Sequence, residues 1–391
     1  MKSIKRVMSI ALCLLTILTV VTAAPISVSA KEGDVVVVNG IEIGVKQKDG
    51  SVLLNVSKDA AANGRVINAA LGDNKKRSIV IPARTFKIDR AIWIGSNKTV
   101  KAKGATIYQT VPESPIIIHA CKKTDYKSLE NVTINGGIWK SKNNEKATKP
   151  TSTFRFNHAG NITIKNASVD TNYVSHAIEL VACKNVRIYN CKLLAKGKQK
   201  NDIYAEPLQI DIATKATAPT VASYGSKYVN GQVCKNITVK KCTIKGSRGI
   251  STNKTDTENG KWLSRHHIKI TIIGCTVTGT RTEALCLHNA VGVTVKNCKA
   301  FSTGSDYNYN IGCYLASLGY NNSTSKYKNV FENNTIKGGR SGLYIATYKG
   351  NKFGPTSVLK NNLYAKNGAG AALSVSGCTK TEIRGNKLYK W

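Results

Sequence analysis

Short runs of alternating apolar and polar residues recur along the chain. One family has the form Asn–apolar–x–Ile/Val–x–x–small–x–apolar, and includes NVTINGGIW from Asn131, NITIKNASV from Asn161, NVRIYNCKL from Asn185 and NITVKKCTI from Asn236. A second family lies between them and includes HAIELVA, EPLQIDIA, EALCLHN, IGCYLAS and SGLYIAT. Alternation with period two predicts half-buried strands. Repeats of about 22 to 35 residues with strands and turns but no helix pattern predict an all-β solenoid, whereas propeller blades need about 40 residues. We therefore expect a right-handed parallel β-helix.

One position of the repeat is occupied first by small residues, then by cysteines, then by asparagines. The column reads Gly137, Ala167, Cys191, Cys242, Cys275, Cys298, Asn334, Asn362 and Asn386. Stacked small groups, thiols and amides suit an interior ladder at a tight turn, because vertical neighbours in parallel strands lie about 4.8 Å apart. We expect structural, reduced thiols, with one or two disulfides inside the column as the alternative. The sequence contains no C-x-x-C motif, so the cysteines do not indicate a metal site.

The front of the chain differs from the repeats. Residues 31–57 form a β-rich segment, and DAAANGRVINAALGD reads as an amphipathic helix ended by Gly72. The phrases IPARTFKI and I-GSNKTVKAKGATI follow it. This order resembles the N-terminal cap and first coils of pectin-lyase-like right-handed β-helix proteins, over residues 58–391. The resemblance implies a capping helix, a carbohydrate-active protein and a substrate that lies along one sheet. The NTD, Asp-Asp and GHG motifs of polygalacturonases and the W-x-DH of pectate lyases are missing, so no branch is indicated.

The first thirty residues have the layout of a secretory signal peptide. Lys2, Lys5 and Arg6 precede an apolar run that closes on small residues at Val28 and Ala30. No second long apolar stretch follows, so we expect no membrane span after cleavage and a secreted, extracellular product. The full chain carries a net charge of +36, and the leader removes three positive and no acidic residues, which leaves +33. Such a chain attracts polyanions. Outside the cell, and without a nucleic-acid recognition motif, an anionic polysaccharide is the expected partner.

The second strand family carries the candidate chemistry. When it is aligned on buried pairs such as Ile178/Leu180 and Leu208/Ile210, its outward positions form three rows. The row before the strands reads His176, Glu206, Arg248 and Glu283; the central row reads Glu179, Gln209, Ser251, Cys286, Tyr314 and Tyr344; the row at the strand ends includes Asp211, Asn253 and His288. Acidic residues are scarce in this chain, so four of them on one sheet indicate a site. We expect Glu206, Asp211, Glu283 and His288 to be catalytic, and His176, Glu179, Gln209, Arg248, Asn253, Tyr314 and Tyr344 to bind substrate.

Several chemistries remain open at this stage. Glu206 and Glu283 are two coils apart, about 10 Å between backbones, which is close to the spacing of about 6.5 to 9.5 Å that suits inverting glycoside hydrolysis. A His base beside amide donors suits β-elimination from a uronic acid instead. Glu–Arg–Glu is also how a sheet pairs charges across strands, and the protein could bind glycans without cleaving them. Hydrolysis of an anionic polysaccharide is our first expectation. No cofactor is required, although Glu206, Asp211 and Asp202 could bind Ca²⁺.

Overall fold

The computed structural model describes residues 31–142, 151–171, 176–195, 205–252, 257–258, 261–262, 265–304, 308, 310–317, 326–348, 352–368 and 370–391. The predicted signal peptide, Asn253 and Asp202 lie outside these ranges. Within them, no helix is both long enough and apolar enough to cross a membrane.

Short strands make up most of the described chain. They are β1 (Val35–Val38), β2 (Ile41–Lys46), β3 (Val52–Leu54), β4 (Arg77–Val80), β5 (Thr85–Ile88), β6 (Ile92–Trp93), β7 (Lys98–Lys101), β8 (Thr106–Gln109), β9 (Ile117–Ile118), β10 (Leu129–Asn135), β11 (Ile138–Lys140), β12 (Phe154–Asn157), β13 (Ala159–Lys165), β14 (Ser168–Thr171), β15 (Ile178–Val181), β16 (Lys184–Tyr189), β17 (Lys192–Ala195), β18 (Leu208–Asp211), β19 (Lys235–Lys240), β20 (Thr243–Gly246), β21 (Ile250–Thr252), β22 (Thr257–Glu258), β23 (Lys261–Trp262), β24 (His267–Ile273), β25 (Thr276–Gly279), β26 (Leu285–His288), β27 (Ala290–Val291), β28 (Thr294–Lys296), β29 (Lys299–Ser302), β30 (Ile311–Ser317), β31 (Asn329–Glu332), β32 (Thr335–Lys337), β33 (Ser341–Thr347), β34 (Thr356–Leu359), β35 (Asn362–Ala365), β36 (Leu373–Val375), β37 (Thr381–Arg384) and β38 (Lys387–Lys390). The helices are α1 (Ala60–Leu71) and α2 (Pro219–Ala222), and a 3₁₀ turn spans Ser226–Tyr228.

Three sheets run the length of the molecule, and each coil contributes one strand to each. The first sheet has the order β1-β2-β3-β4-β7-β10-β13-β16-β19-β24-β28-β31-β34-β37, with β27 beside β24; the second has the order β5-β8-β11-β14-β17-β20-β25-β29-β32-β35-β38; the third has the order β6-β9-β12-β15-β18-β21-β26-β30-β33-β36. Strand pairs are parallel except β1–β2 and β2–β3, and β22–β23 forms a separate antiparallel pair. The fold is therefore the predicted right-handed parallel β-helix.

Inward side chains of all three sheets form one continuous core. Val132, Ile162, Val186, Ile237 and Ile270 stack on the first sheet and are fully buried. Period-two alternation places these residues inside, and their repetition in each coil extends the core along the axis.

Helix α1 covers the N-terminal end, as expected. Asp59 caps it by accepting a hydrogen bond from the Ala61 N–H at 2.8 Å, and Gly72 ends it by donating to the Asn68 carbonyl at 2.8 Å. Ile67 and Leu71 are buried against the first coils. The helix thus shields core residues that the first coil would otherwise expose.

The predicted ladder of small residues, thiols and amides exists, with one correction. Each thiol from Cys242 to Cys298 accepts from the backbone N–H of the ladder residue one coil earlier, at 3.4 Å. The Oδ1 of Asn334 then accepts from Cys298, that of Asn361 from Asn334, and that of Asn386 from Asn361. The assignment of Asn362 to this column was wrong, because Asn362 is the first residue of β35 and Asn361 is the ladder residue.

The ten cysteines in the described residues are free thiols, and all but Cys378 are buried. The interior ladder is therefore held by hydrogen bonds rather than by covalent links.

A second, external asparagine ladder runs along the first sheet. The side chains of Asn97, Asn131, Asn161, Asn185 and Asn236 form a chain in which each amide donates to the one before it at 3.0 to 3.2 Å. All five have a positive φ of 55° to 62°, a conformation that asparagine tolerates better than most residues. This backbone requirement explains why the repeated sequence phrase opens with Asn.

Candidate active site

The third sheet brings the candidate residues together in the predicted register. Glu179 pairs with Gln209, Gln209 with Ser251, Ser251 with Cys286, and Cys286 with Tyr314, which pairs with Tyr344. At the strand ends, Asp211 pairs with Val181 and His288 with Ala316. The predicted alignment of the second strand family is thus confirmed, apart from Asn253, which lies outside the described residues.

Arg248 lies between the two glutamates of the row before the strands. Its Nη1 donates to Glu206 Oε1 at 3.0 Å and its Nε to Glu283 Oε2 at 2.9 Å. Glu206 is 3 % exposed, Arg248 1 % and Glu283 1 %. Inverting hydrolysis requires a water between one carboxylate and the sugar, whereas here a guanidinium occupies the space between the pair. The geometry therefore favours the charge-pairing alternative for Glu206 and Glu283.

His176 extends this row as a charged side chain. Its Nδ1 lies 3.2 Å from Glu206 Oε2, and the side chain is 18 % exposed. Burial opposes the imidazolium, but the hydrogen bond and charge of Glu206, together with the charges of Glu179 and Asp211, raise the pKa of His176 to about 9. The ring is consequently a cation at neutral pH.

Glu179 is a buried carboxylate that remains ionised. Arg155 pairs with it across β12 and β15 and donates from Nε to Glu179 Oε2 at 2.6 Å, while the Ser152 hydroxyl donates to the same oxygen. Burial raises the pKa of a carboxyl group, but here the charges of Arg155 and His176 and these two hydrogen bonds hold the pKa of Glu179 below its usual value.

Asp211 has the opposite environment one strand away. It is 2 % exposed and accepts a hydrogen bond from Gln209 Nε2 at 2.8 Å. Burial and the nearby charge of Glu179 raise the pKa of Asp211 well above its ordinary value, with a smaller contribution from Glu206, while His176 and Gln209 act in the other direction. Asp211 therefore keeps its proton to a higher pH than Glu179 does.

Sequence reasoning missed Arg155 and Ser152. Arg155 occupies the same row as Glu179 and Gln209, because β12 precedes β15 in the third sheet. The signal was present in FRF at 154–156, where two buried phenylalanines flank one outward arginine. Aligning this segment with the second strand family would have placed Arg155 at the start of the central row.

Aromatic residues continue the central row away from the carboxylates. The Tyr314 and Tyr344 rings lie 5.1 Å apart, and the edge of His288 meets Tyr314 with 4.7 Å between ring centroids. His288 Nε2 lies 3.6 Å from Cys286 Sγ. Tyr314 is four strands from Glu179, which is about 19 Å along the helix axis. His288 is therefore associated with the tyrosines rather than with Glu179 and Asp211.

The segment that follows β18, residues 213–233, folds onto the third sheet. Ala218, Val221 and Tyr228 pack with Val181 and Ala182 in a small apolar cluster.

The described residues include no group of three or more His, Cys, Asp and Glu side chains arranged to hold a metal ion. Glu206 is committed to Arg248 and His176, and Asp211 accepts from Gln209. The predicted Ca²⁺ site, which also included Asp202, stays a prediction.

Comparison with known proteins yields structural but not sequence relatives. No family model matches the chain, and no curated protein matches it. Two structures of PfbA, a surface adhesin of Streptococcus pneumoniae, are similar to it. One has a TM-score of 0.54 at 14 % identity, covering 87 % of this chain and 96 % of that one. The other has a TM-score of 0.51 at 14 % identity, covering 86 % and 90 %.

The A-module of the mannuronan C-5 epimerase AlgE4 of Azotobacter vinelandii is also similar, with a TM-score of 0.48 at 11 % identity over 86 % of this chain and 85 % of that one. At these identities the likeness establishes the fold alone. The chain is a right-handed parallel β-helix, the fold that it shares with these structures.

Proposed function

We propose that this protein is an extracellular glycoside hydrolase that cleaves an anionic polysaccharide at the third sheet. The observation that carries the proposal is the placement of two carboxyl groups on adjacent strands of one sheet, Glu179 paired with Arg155 and Asp211 hydrogen-bonded to Gln209. In these surroundings the pKa of Glu179 is lowered and that of Asp211 is raised. Two titratable groups pushed apart in this way suit the acid and base roles of one reaction.

The roles follow from the protonation states. Asp211 would give its proton to the glycosidic oxygen as the C–O bond breaks, and Glu179 would take a proton from the water that attacks the anomeric carbon. The two residues sit one strand and two positions apart, so their backbones are about 8 Å from each other. Backbones at this spacing allow the carboxyl separation of about 6.5 to 9.5 Å that inversion requires. Arg155 would keep Glu179 ionised, and Gln209 would orient Asp211.

An anionic substrate is supported by the charges around the pair. His176 and Arg155 are partly exposed cations beside Glu179, with side chains 18 % and 14 % exposed. The whole chain carries a net charge of +36, which concentrates polyanions near its surface. Tyr314 and Tyr344 continue the row along the helix axis and would stack on sugar rings of an extended polymer.

Glycan binding without cleavage is the second candidate. It is favoured by the low exposure of Glu179 and Asp211, at 5 % and 2 %, and by the complete pairing of Glu206 and Glu283 with Arg248. β-Elimination has less support around His176, because an imidazolium with a pKa of about 9 cannot accept a proton at neutral pH.

The test is a substrate screen with two simultaneous readouts. Purified residues 31–391 would be incubated with pectate, alginate, glycosaminoglycans and neutral glycans, while reducing ends and ultraviolet absorbance of unsaturated products are recorded. We expect reducing ends from an anionic polymer without new absorbance. Both signals rising together would establish elimination and overturn the hydrolase assignment. Binding to a polymer with neither signal would establish the second candidate.

A further inference from the structure

A cavity of about 470 Å³ lies where the turns from the third sheet enter the first. Its walls include Tyr126, Gln232, Lys235, Arg265, Lys326 and Tyr327. None of its lining residues belongs to the three rows of the candidate active site, and none of them is acidic. The cavity therefore combines two aromatic rings with three cations at a place that the proposed reaction does not use.

Arg265 is anchored in this cavity by one hydrogen bond to the backbone. Its Nη1 donates to the Asn230 carbonyl at 2.9 Å. Gly231 has a φ of +72°, and a Cβ added there would lie 0.8 Å from Arg265 Nη1. Gly231 thus leaves the space that this guanidinium occupies. A guanidinium already held by one hydrogen bond loses less side-chain entropy when it binds a carboxylate or sulfate.

The tyrosines are also accompanied by positive charge. The Lys184 and Lys235 ammonium groups lie 5.8 and 6.0 Å from the centroid of the Tyr126 ring, and the Tyr126 hydroxyl donates to the Val233 carbonyl at 2.9 Å. Lys326 lies 5.3 Å from the centroid of Tyr327. The half-buried tyrosines and these ammonium groups therefore place aromatic surface next to positive charge, the combination that binds an anionic sugar ring.

We propose that this cavity is a second, non-catalytic binding site for a sugar ring that carries a carboxylate or sulfate group. The tyrosines would contact the ring, and Arg265, Lys235 and Lys326 would contact the anion. A single-stranded nucleic acid would need a longer series of stacking platforms along its backbone, whereas this cavity offers two rings in a confined volume. The site does not depend on turnover at the third sheet.

The test uses the mature chain with Asp211→Asn, so that cleavage cannot consume the probe. Trigalacturonate, a sulfated heparin disaccharide and neutral cellotriose would be titrated by calorimetry. Hydrogen–deuterium exchange would report protection of residues 229–235 and 326–331, which distinguishes this cavity from the third sheet. Arg265→Gln with Lys326→Gln is the test variant, and Lys245→Gln with Lys299→Gln, two exposed lysines of the second sheet, is the matched charge control.

We expect protection of both segments by the carboxylated or the sulfated probe, and the probe that protects them identifies the anion. The test variant should weaken this binding by about tenfold or more, because each lost charged contact is worth roughly that factor. The control pair should stay within about twofold. Equal weakening in the control, equal binding of cellotriose, or tighter binding of an oligothymidylate would overturn the proposal. These outcomes leave the hydrolase assignment untouched, since that is judged by reducing ends alone.

Discussion

At residue 211 a carboxyl group is 2 % exposed and has its pKa raised well above 3.8 by burial and by the charge of Glu179. The unfolded chain ionises this carboxyl group at a lower pH than the folded chain does, so the contribution of Asp211 to folding is lost as the pH rises above 3.8. We predict that Asp211→Asn, which keeps the shape and cannot ionise, increases the free energy of unfolding at pH 7. Urea denaturation from pH 3 to pH 8 measures the difference, which should vanish near pH 3.

Glu332 provides the matched control for this prediction. It is a surface carboxylate whose pKa is lowered by its hydrogen bond and ion pair with Lys296. Glu332→Gln should leave stability at pH 7 unchanged or slightly reduced, as is usual for exposed pairs. A destabilised Asp211→Asn protein at pH 7 would contradict the environment described for Asp211.

Arg248 is the cation on which two buried carboxylates depend. Arg248→Met would leave Glu206 and Glu283 buried without their main partner, which typically costs about 3 to 5 kcal/mol of unfolding free energy. Adding Glu206→Gln and Glu283→Gln to this variant removes both charges and should restore most of the loss. Urea denaturation at pH 7 measures each protein. A loss below about 1 kcal/mol in Arg248→Met would show that the three charges are not mutually dependent.

At the scale of the element, the interior ladder offers a test with adjacent residues. Asn361 is buried, accepts from the Asn334 backbone, and donates to the Phe331 carbonyl at 3.0 Å. Asn361→Ala would leave these buried groups unpaired and should cost about 2 to 3 kcal/mol. Asn362→Ala, one residue further on and half-buried, should change stability by no more than about 0.5 kcal/mol. Thermal and urea denaturation of the two variants measure this difference, and equal effects would contradict the ladder assignment.

The misassignment of Asn362 shows that the sequence motif alone does not determine the register of a strand. In FENNTI and LKNNLY two asparagines stand side by side, and the ladder uses the second in one coil and the first in the next. The register pairs Ile336 with Leu363, and the ladder residue lies two positions before each. Alignment on these buried residues identifies Asn361 as the ladder residue. The inward-facing apolar side chains set the register of the strand, and the adjacent pair of asparagines does not.

At the scale of the whole molecule, the repeating pattern determined most of what could be predicted. Period-two alternation and a recurring coil length predicted the solenoid, and stacking then brought Glu179, Gln209 and Asp211 onto one sheet. The sequence could not show which of the charged side chains form ion pairs with each other. From the sequence, the Arg248 side chain could point away from Glu206 and Glu283 or form ion pairs with both. Only the side-chain geometry distinguishes these two arrangements. Arg155 could have been found from the sequence, since aligning FRF with the second strand family places it beside Glu179.

The cysteines give a prediction for the molecule as a whole. The ten cysteines after the predicted leader all lie in the described residues and form no disulfide, and burial raises the pKa of Cys234 well above the ordinary thiol value, which makes such groups slow to react. In the native protein a thiol reagent should modify Cys378 quickly and the others slowly. Denaturation without reductant should reveal all ten thiols. A smaller number would mean that some of the column is disulfide-bonded.

The measurement that tests the central claim most directly is the turnover of Asp211→Asn on the polymer that the wild-type chain cleaves. A general acid contributes about 10² to 10⁴ in rate, so we predict a loss of kcat in that range with an unchanged Kd for the polymer. Glu332→Gln, measured alongside, should retain wild-type kcat and Kd. If the kcat of Asp211→Asn were within about twofold of the wild-type value, Asp211 would not be the general acid. The proposed acid and base roles of Asp211 and Glu179 would then be wrong.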